Sequence, residues 1–295
     1  MSGICEGRVV IITGAGGGLG AAHARVLASE GACVVVNDIN EAAAAAVVAE
    51  ISAAGGKAVV NTSDITNYDD SLNAVKQALD SFGDLHAVVN NAGINRDRMF
   101  ASMTEEDWDL IMAVHLKGHF CISSHAVHYW RGRSKEGAEV DARIINTSSG
   151  AGLQGSIGQS NYAAAKAGIA ALTLNQAAEL QRYGITANAI TPAARTGMTT
   201  AVPEMAQRMA VPDDGSFDYW APENVSSLVA WLVSAESSEV TGRVFEAEGG
   251  KISIADGWRT TDGVDKGARW EPAEVKDAIA QLLATEVPAQ KVYGT

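Results

Sequence analysis

The sequence predicts an α/β fold built on a doubly wound, parallel sheet of seven strands. Short apolar runs rich in Val and Ile alternate with longer helical patterns, which is typical of repeated β-α-β units whose strands are buried on both faces. A glycine-rich loop directly follows the first run. The length of 295 residues is near the upper limit for one hydrophobic core, so we expect a single domain with a C-terminal extension.

Seven segments have the composition of buried strands. They are Arg8–Thr13, Ala32–Asn37, Ala58–Asn61, Ala87–Asn90, Ala142–Thr147, Thr186–Ile190 and Val244–Ala247. Helical patterns fill most of the intervals, including the alanine-rich residues 40–54, which are strong helix formers. Residues 132–141 are polar and contain glycine, so we expect an exposed loop there.

The predicted domain spans residues 1–250, and residues 251–295 form the extension. The extension contains Trp258, Trp270 and Tyr293 and an amphipathic stretch at 272–284. An apolar helix face needs a partner surface. We therefore expect the extension to pack on its own domain or on a neighbouring subunit.

Composition excludes several classes of function. Twenty-two basic against 35 acidic residues give a net charge of −13, which is a poor match for a phosphate backbone and argues against nucleic-acid binding. No apolar run is long enough to span a membrane and no secretory signal is visible, so we expect a cytoplasmic protein. Cys5, Cys33 and Cys121 are too few and too far apart for a disulfide framework or a zinc site, so no metal is expected.

The glycine-rich loop Thr13–Gly20 predicts a dinucleotide site. Gly14, Gly18 and Gly20 fit a Gly-x-x-x-Gly-x-Gly pattern between a strand and a helix, where glycines permit a tight turn and close approach of a pyrophosphate to the helix N-terminus. The sheet is then of the Rossmann type. A glycine cluster alone is also compatible with a flexible turn.

Two aspartates follow neighbouring strands. Asp38 ends the second strand, where a carboxylate accepts hydrogen bonds from the adenosine ribose hydroxyls and repels a 2′-phosphate, so NAD is favoured over NADP. Asp64 follows the third strand. It either contacts the adenine end of the cofactor or caps the helix that begins near Thr66.

Tyr162 and Lys166 are four residues apart and lie on one face of a predicted helix at 160–183. A neighbouring ammonium stabilises a phenolate and lowers its pKa, so Tyr162 is a candidate general acid/base. Ser149 is placed to hold the substrate oxygen, although spacing alone does not exclude the adjacent Ser148. A tyrosine four residues before a lysine is also compatible with an ordinary surface pair.

Taken in order, the glycine loop, Asp38, Asn90-Asn91-Ala92-Gly93, Ser149 and the Tyr162–Lys166 pair resemble the short-chain dehydrogenase/reductase family over about residues 7–250. The resemblance implies that the tyrosine is the general acid/base, that the lysine also binds the nicotinamide ribose, and that the serine thirteen residues before the tyrosine, Ser149, stabilises the substrate. The cofactor site that it implies comprises Gly14, Gly16, Gly18, Leu19, Gly20, Asp38, Asp64, Ile65, Asn91, Ala92, Gly93, Tyr162, Lys166 and Pro192.

The chain departs from the family pattern at two positions. His115 stands where the family commonly has an asparagine that holds a water-linked proton path behind the lysine. A histidine either holds the same water or is a packed helix residue. The second departure is Ala193, which follows Pro192 where Pro-Gly is usual.

A narrower resemblance concerns the substrate. Asn91–Ile94, Arg96–Arg98, Asp107–Asp109 and His115–Gly118 are similar to the dehydrogenase part of the peroxisomal multifunctional β-oxidation enzymes. This subgroup oxidises (3R)-hydroxyacyl-CoA thioesters with NAD, and its relatives act on hydroxysteroids. This narrower resemblance implies a bulky acyl-CoA or steroid substrate, and the resemblance to the family as a whole implies assembly as a homodimer or homotetramer.

Residues 191–218 lie where this fold builds a lid over its substrate. Met198, Met205 and Met209 either line an adaptable apolar pocket there or belong to the core. Arg195 and Arg208 either meet the phosphates of a thioester or are only solvated.

Two competing functions remain open from the sequence. The same catalytic residues serve a reductase of 3-oxoacyl thioesters or other carbonyls, for which a basic residue in place of Asp38 and a preference for NADP would be expected. A dinucleotide-sensing protein without turnover would keep the fold but would not need the full set of Ser149, Tyr162 and Lys166.

Overall fold

The computed structural model describes residues 3–201, 203–258, 260, 262–285, 287 and 290–294. Its eight strands are β1 (Val9–Thr13), β2 (Cys33–Asn37), β3 (Lys57–Asn61), β4 (Ala87–Asn90), β5 (Ala142–Thr147), β6 (Ile185–Ala193), β7 (Val244–Glu248) and β8 (Lys251–Ile254). They form one sheet in the order β3-β2-β1-β4-β5-β6-β7-β8. The order reverses between β1 and β4, which is the switch point of a doubly wound sheet.

The parallel part of the sheet consists of the seven predicted strands. β8 is an eighth, antiparallel strand that pairs with β7, within the residues assigned above to the C-terminal extension. The signal for it was present, because Gly249 and Gly250 form a two-residue connection of the kind that joins hairpin strands, with Gly249 at a φ of +50°. The sheet therefore has one more strand than the sequence predicted.

Helices cover both faces of the sheet. The α-helices of the described residues are α1 (Gly18–Ser29), α2 (Glu41–Ala53), α3 (Tyr68–Phe82), α4 (Glu105–Ile111), α5 (Gly118–Lys135), α6 (Gly150–Gln154), α7 (Ser160–Leu180), α8 (Gly197–Thr200), α9 (Pro203–Arg208), α10 (Glu223–Val233) and α11 (Val275–Thr285). A π-helical turn, Met112–Lys117, joins α4 to α5. Helices α1, α2 and α10 pack on one face, and α3, α5 and α7 on the other, which gives two apolar cores. None of the described helices is both long and apolar enough to cross a membrane.

Local signals fix the helix ends. The Asn40 side chain caps α2 and the Asn67 side chain caps α3. Asp64 is therefore not the cap of α3; it accepts hydrogen bonds from the amide and hydroxyl of Thr66, both at 2.8 Å, in the turn before the helix. Helix α5 continues to Lys135, so only the second half of the predicted loop at 132–141 is irregular.

Two described segments of the extension differ in whether they contact the domain. Helix α11 exposes its apolar stripe, Val275, Ile279 and Leu283, to solvent in this single chain. Residues 290–294 instead return to the domain, where Tyr293 pairs with Ser156. All three cysteines are free thiols, with Cys5 and Cys121 buried.

Candidate active site

The predicted site residues converge at the carboxyl ends of the parallel strands. Gly14 follows β1, Asp38 follows β2, Asn91 follows β4 and Ser149 follows β5. In open α/β sheets, ligands bind at this edge beside the switch point. The fold thus places the glycine loop and the Tyr162–Lys166 pair at the same end of the sheet.

The glycine loop leaves no room for a side chain at Gly14 or Gly20. Gly14 has a φ of +63°, and a Cβ there would lie 2.7 Å from Ala92 Cα. A Cβ on Gly20 would lie 2.3 Å from the carbonyl oxygen of Gly14. Helix α1 begins at Gly18 without a side-chain cap, so its first amides are free to bind an anion.

Asp38 is held against this loop. Its Oδ2 accepts a hydrogen bond from the Gly16 amide at 2.9 Å, and its Oδ1 accepts one from the Asn40 amide at 2.9 Å. A Cβ on Gly16 would lie 2.8 Å from the same Oδ2. The carboxylate is therefore fixed beside the predicted pyrophosphate site, with lone pairs left for a further donor.

Asn91 fastens the loop from the opposite side. Its Nδ2 donates to the carbonyl oxygens of Thr13 at 2.9 Å and Gly14 at 3.1 Å. The amides of Asn91 and Ala92 donate to Thr13 Oγ1 at 3.0 and 3.1 Å. The end of β4 and the glycine loop therefore form one rigid cradle.

These residues fit a dinucleotide. The cradle offers free helix amides for a pyrophosphate and a fixed carboxylate for ribose hydroxyls. Four other residues predicted to contact the cofactor lie outside this cradle. Leu19 is half-buried against the core, the side chain of Ile65 is buried beside Gly118, and Asp64 is exposed. Pro192 borders a cavity that Gly150 also lines. Contact of these four residues with the cofactor stays a prediction.

The structure separates the two adjacent serines. Ser148 is buried, and its Oγ donates to the carbonyl oxygen of Lys166 at 2.8 Å. Ser149 caps the short helix α6 and hydrogen-bonds with the Tyr162 hydroxyl. Only Ser149 therefore reaches the tyrosine, whereas Ser148 ties β5 to α7.

Lys166 is buried behind Tyr162. Its Nζ donates to the carbonyl oxygen of Thr147 at 2.6 Å and lies 5.5 Å from the centroid of the Tyr162 ring. Burial lowers the pKa of Lys166 to about 7. Burial raises the pKa of Tyr162, and the hydrogen bond from Ser149 opposes that rise. The predicted lowering of the tyrosine pKa is therefore wrong for the chain alone, because desolvation outweighs the other effects on the phenol.

The buried lysine should make stability depend on pH. The pKa of Lys166 is about 7 in the folded chain, against roughly 10.4 when unfolded. Between these values the unfolded state binds more protons, so the free energy of unfolding increases as pH rises. We expect thermal scans from pH 7 to about pH 10 to show Tm of the wild type rising relative to Lys166→Met, but not relative to the exposed control Lys117→Met. A pH-independent difference would mean that the buried amine stays charged.

His115 lies within the π-helical turn, beside Tyr162 and Lys166. Its ring packs edge-on against the Tyr162 ring, with 5.1 Å between the ring centroids, and its Nε2 lies 2.8 Å from the carbonyl oxygen of Ile94. Burial, followed by the charge of Lys166, lowers the pKa of His115 to about 3. The ring is therefore neutral. Its buried Nδ1 has no partner among the described residues, which is compatible with the predicted water-binding role.

His119 is a site residue that the sequence did not single out. It is fully buried, and its Nε2 accepts a hydrogen bond from the Thr147 amide at 3.3 Å. The carbonyl of that same Thr147 holds Lys166. The four-residue spacing from His115 was an available signal, because it places both rings on one helix face.

The lid is organised differently from the expectation. Arg195 forms a two-pronged ion pair with Asp218 and donates to the carbonyl oxygen of Met209 at 2.8 Å. Arg208 lies over the Trp220 ring, 5.6 Å from its centroid. Arg195 therefore ties the start of the predicted lid segment to its end and is not free for a phosphate. Met209 is buried, whereas Met198 is partly exposed.

Comparison with known proteins is consistent with this geometry. A family model described as short chain dehydrogenase matches residues 8–207. The chain is 44% identical over 300 residues to the hydroxyacyl-CoA dehydrogenase ChsB1 of Mycobacterium tuberculosis, which covers 98% of this chain and 93% of that protein. It is 42% identical over 276 residues to the peroxisomal multifunctional enzyme type 2 of Mus musculus, covering 90% of this chain but only 35% of that protein.

A solved structure is also similar. The crystal structure of a short chain dehydrogenase from Mycobacterium avium has 54% sequence identity and a TM-score of 0.91, and the match covers 99% of this chain and 100% of that one. The resemblance predicted from the motifs is thereby confirmed, both for the fold and for the narrower subgroup.

Proposed function

Because the chain belongs to the short-chain dehydrogenase/reductase family, we propose that it oxidises the secondary hydroxyl of a 3-hydroxyacyl-CoA to a ketone with NAD. The class of activity, oxidoreductase, follows from the family. The observation that carries the proposed chemistry at the hydroxyl is the contact of Ser149 with Tyr162, backed by Lys166, next to the glycine cradle.

Ser149, Tyr162 and Lys166 have different roles in this reaction. Ser149 holds the substrate oxygen by a hydrogen bond, and Tyr162 takes the proton from that oxygen as the alcohol becomes a ketone. Lys166 is fixed by the Thr147 carbonyl at 2.6 Å. The resemblance assigns it to the nicotinamide ribose as well, and in its protonated form the lysine favours the phenolate that oxidation requires. The bound nicotinamide supplies the hydride acceptor.

The choice of NAD rests on charge. The Asp38 carboxylate is held 2.9 Å from the Gly16 amide, where it would repel a 2′-phosphate. The choice of substrate rests on the relative that is named a hydroxyacyl-CoA dehydrogenase and matches nearly the whole chain. A hydroxysteroid or, in the reverse direction, a 3-oxoacyl thioester is the alternative. The cytoplasmic location and the homodimer or homotetramer stay predictions.

The test is an assay with two cofactors and three substrate panels. Reduced nicotinamide is followed by its near-ultraviolet absorbance, with NAD or NADP, on 3-hydroxyacyl-CoA thioesters and on hydroxysteroids. The third panel runs 3-oxoacyl thioesters in reverse. We expect the highest kcat/KM with NAD and a 3-hydroxyacyl-CoA. A preference for NADP with 3-oxoacyl thioesters would favour the reductase, and cofactor binding without turnover on any panel would favour the sensing protein.

A further inference from the structure

We propose that residues 290–294 form one wall of the substrate cleft, and that Tyr293 limits the bulk of the substrate group that lies next to Ser149. The inference rests on the proposed function for its substrate, but its structural part can be tested without turnover. It concerns a segment that lies far along the chain from every catalytic residue and outside the matched family region, which ends at residue 207.

The backbone of this segment is docked in register on the domain. Tyr293 pairs with Ser156 in a parallel bridge. The Ile157 amide donates to the Tyr293 carbonyl oxygen at 3.0 Å, and the Tyr293 amide donates to the Gly155 carbonyl oxygen at 3.2 Å. Two main-chain hydrogen bonds in strand-like geometry fix which side of the segment faces the domain.

The docking site is itself part of the active-site wall. Residues 156–159 lead directly into α7, which carries Tyr162. On the other side of residues 156–159, Arg98 forms a parallel backbone bridge with Gln159. The Arg98 amide donates to the Gly158 carbonyl oxygen at 2.8 Å. Three extended pieces of chain therefore lie side by side, with the C-terminal segment on one flank and the loop after β4 on the other.

The Tyr293 side chain reaches the residue that follows the catalytic serine. A Cβ on Gly150 would lie 2.5 Å from Tyr293 Oη and 3.0 Å from its Cε2. Such distances leave no space for a methyl group, so the ring edge is in tight contact with the start of α6. Because Gly150 adjoins Ser149, this contact places the phenol at the edge of the catalytic centre.

The same ring borders a small cavity. The cavity has a volume of about 160 Å³, and Tyr293 lines it together with Gly150, residues 191–193 of β6, and residues of β7 and β8 that include Glu246, Glu248 and Lys251. Pockets that take whole drug-sized ligands are larger, about 300–1,000 Å³. A group that extends from the reacting carbon toward β6 would therefore meet the Tyr293 ring before it finds more room. Tyr293 as a whole residue is 48% exposed, which leaves it accessible to such a group.

The first experiment compares substrates of different bulk. Each variant is assayed on a linear 3-hydroxyacyl-CoA and on one whose acyl group carries a ring. We expect Tyr293→Ala to raise the ratio of kcat/KM for the bulky over the linear substrate at least tenfold, because the wall is removed. Tyr293→Phe keeps the ring and should leave the ratio unchanged, as should Trp258→Ala, whose side chain is 97% exposed in the same extension. A ratio in Tyr293→Ala within about twofold of wild type would overturn the role in specificity.

The second experiment does not depend on activity. Thermal unfolding is measured for the wild type, Gly150→Ala, Tyr293→Ala and the double variant. The new methyl group of Gly150→Ala collides with the ring, so we expect Tm to fall by roughly 3 °C or more. The same change in the Tyr293→Ala background should cost much less, because the two residues are in contact. Fully additive losses would show that Tyr293 does not pack on Gly150, even if the wild type oxidises no alcohol at all.

Discussion

Replacing Tyr162 by phenylalanine is expected to lower kcat about 1,000-fold, while the fold and the affinity for the cofactor are retained. General acid–base catalysis by a positioned side chain typically contributes 10²–10⁴-fold. The phenol hydroxyl is the only group removed, and it is the group that Ser149 contacts. Steady-state kinetics in both directions measure the loss. Cofactor titration and thermal unfolding show whether the site is otherwise intact.

Tyr183→Phe is the matched control. Tyr183 ends the same run of helix, and its ring lies under Arg131 and Arg182 rather than at the site. Removing the Tyr183 hydroxyl should leave kcat within about twofold of wild type. If Tyr162→Phe kept more than a tenth of the activity, the proton would have to leave by another group, and the role assigned to Tyr162 would be wrong.

Replacing Asp38 by alanine is expected to lower kcat/KM for NAD about 100-fold. Hydrogen bonds to a charged group are worth about 1.5–3 kcal/mol, and a hundredfold change corresponds to about 2.7 kcal/mol. The activity with NADP should stay equal or rise, because the carboxylate that repels its phosphate is gone. The measurement is kcat/KM for each cofactor at a saturating concentration of substrate.

Two further variants separate charge from loop structure. Asp38 also accepts hydrogen bonds from the Gly16 and Asn40 amides, so alanine loosens the cradle. Asp38→Asn keeps an acceptor oxygen for one of these two amides and removes the charge, so it should relax the preference for NAD with less loss of stability than alanine. Asp69→Ala, on the exposed first turn of α3, is the control. An unchanged ratio of NAD to NADP activity in both Asp38 variants would show that another residue sets cofactor choice.

The parts of the site that the sequence predicted well are those encoded over short distances. A four-residue spacing on a helix fixes the relation of Tyr162 to Lys166, and a glycine loop after a strand fixes the cradle. The burial and the partners of each side chain are not encoded in such short sequence spacings. The pKa of Tyr162 is raised rather than lowered because burial depends on what surrounds the phenol, and the roles of Arg195 and His119 depend on partners in other elements.

Buried Val and Ile runs and helical spacing are local patterns, so the sequence predicted the seven parallel strands, the helices between them and the placement of Tyr162 and Lys166 on one helix face. The catalytic roles of these two residues come from the family resemblance and stay predictions. The tertiary structure gives the physical reason for preferring Ser149 to Ser148, a choice that local spacing left open and the family resemblance favoured: Ser148 points to the Lys166 carbonyl and Ser149 to Tyr162. It also decided the position of Tyr293, which contacts Gly150 from a distant part of the chain. Contacts between residues so far apart in the sequence depend on how the whole chain packs, and they cannot be predicted from local spacing.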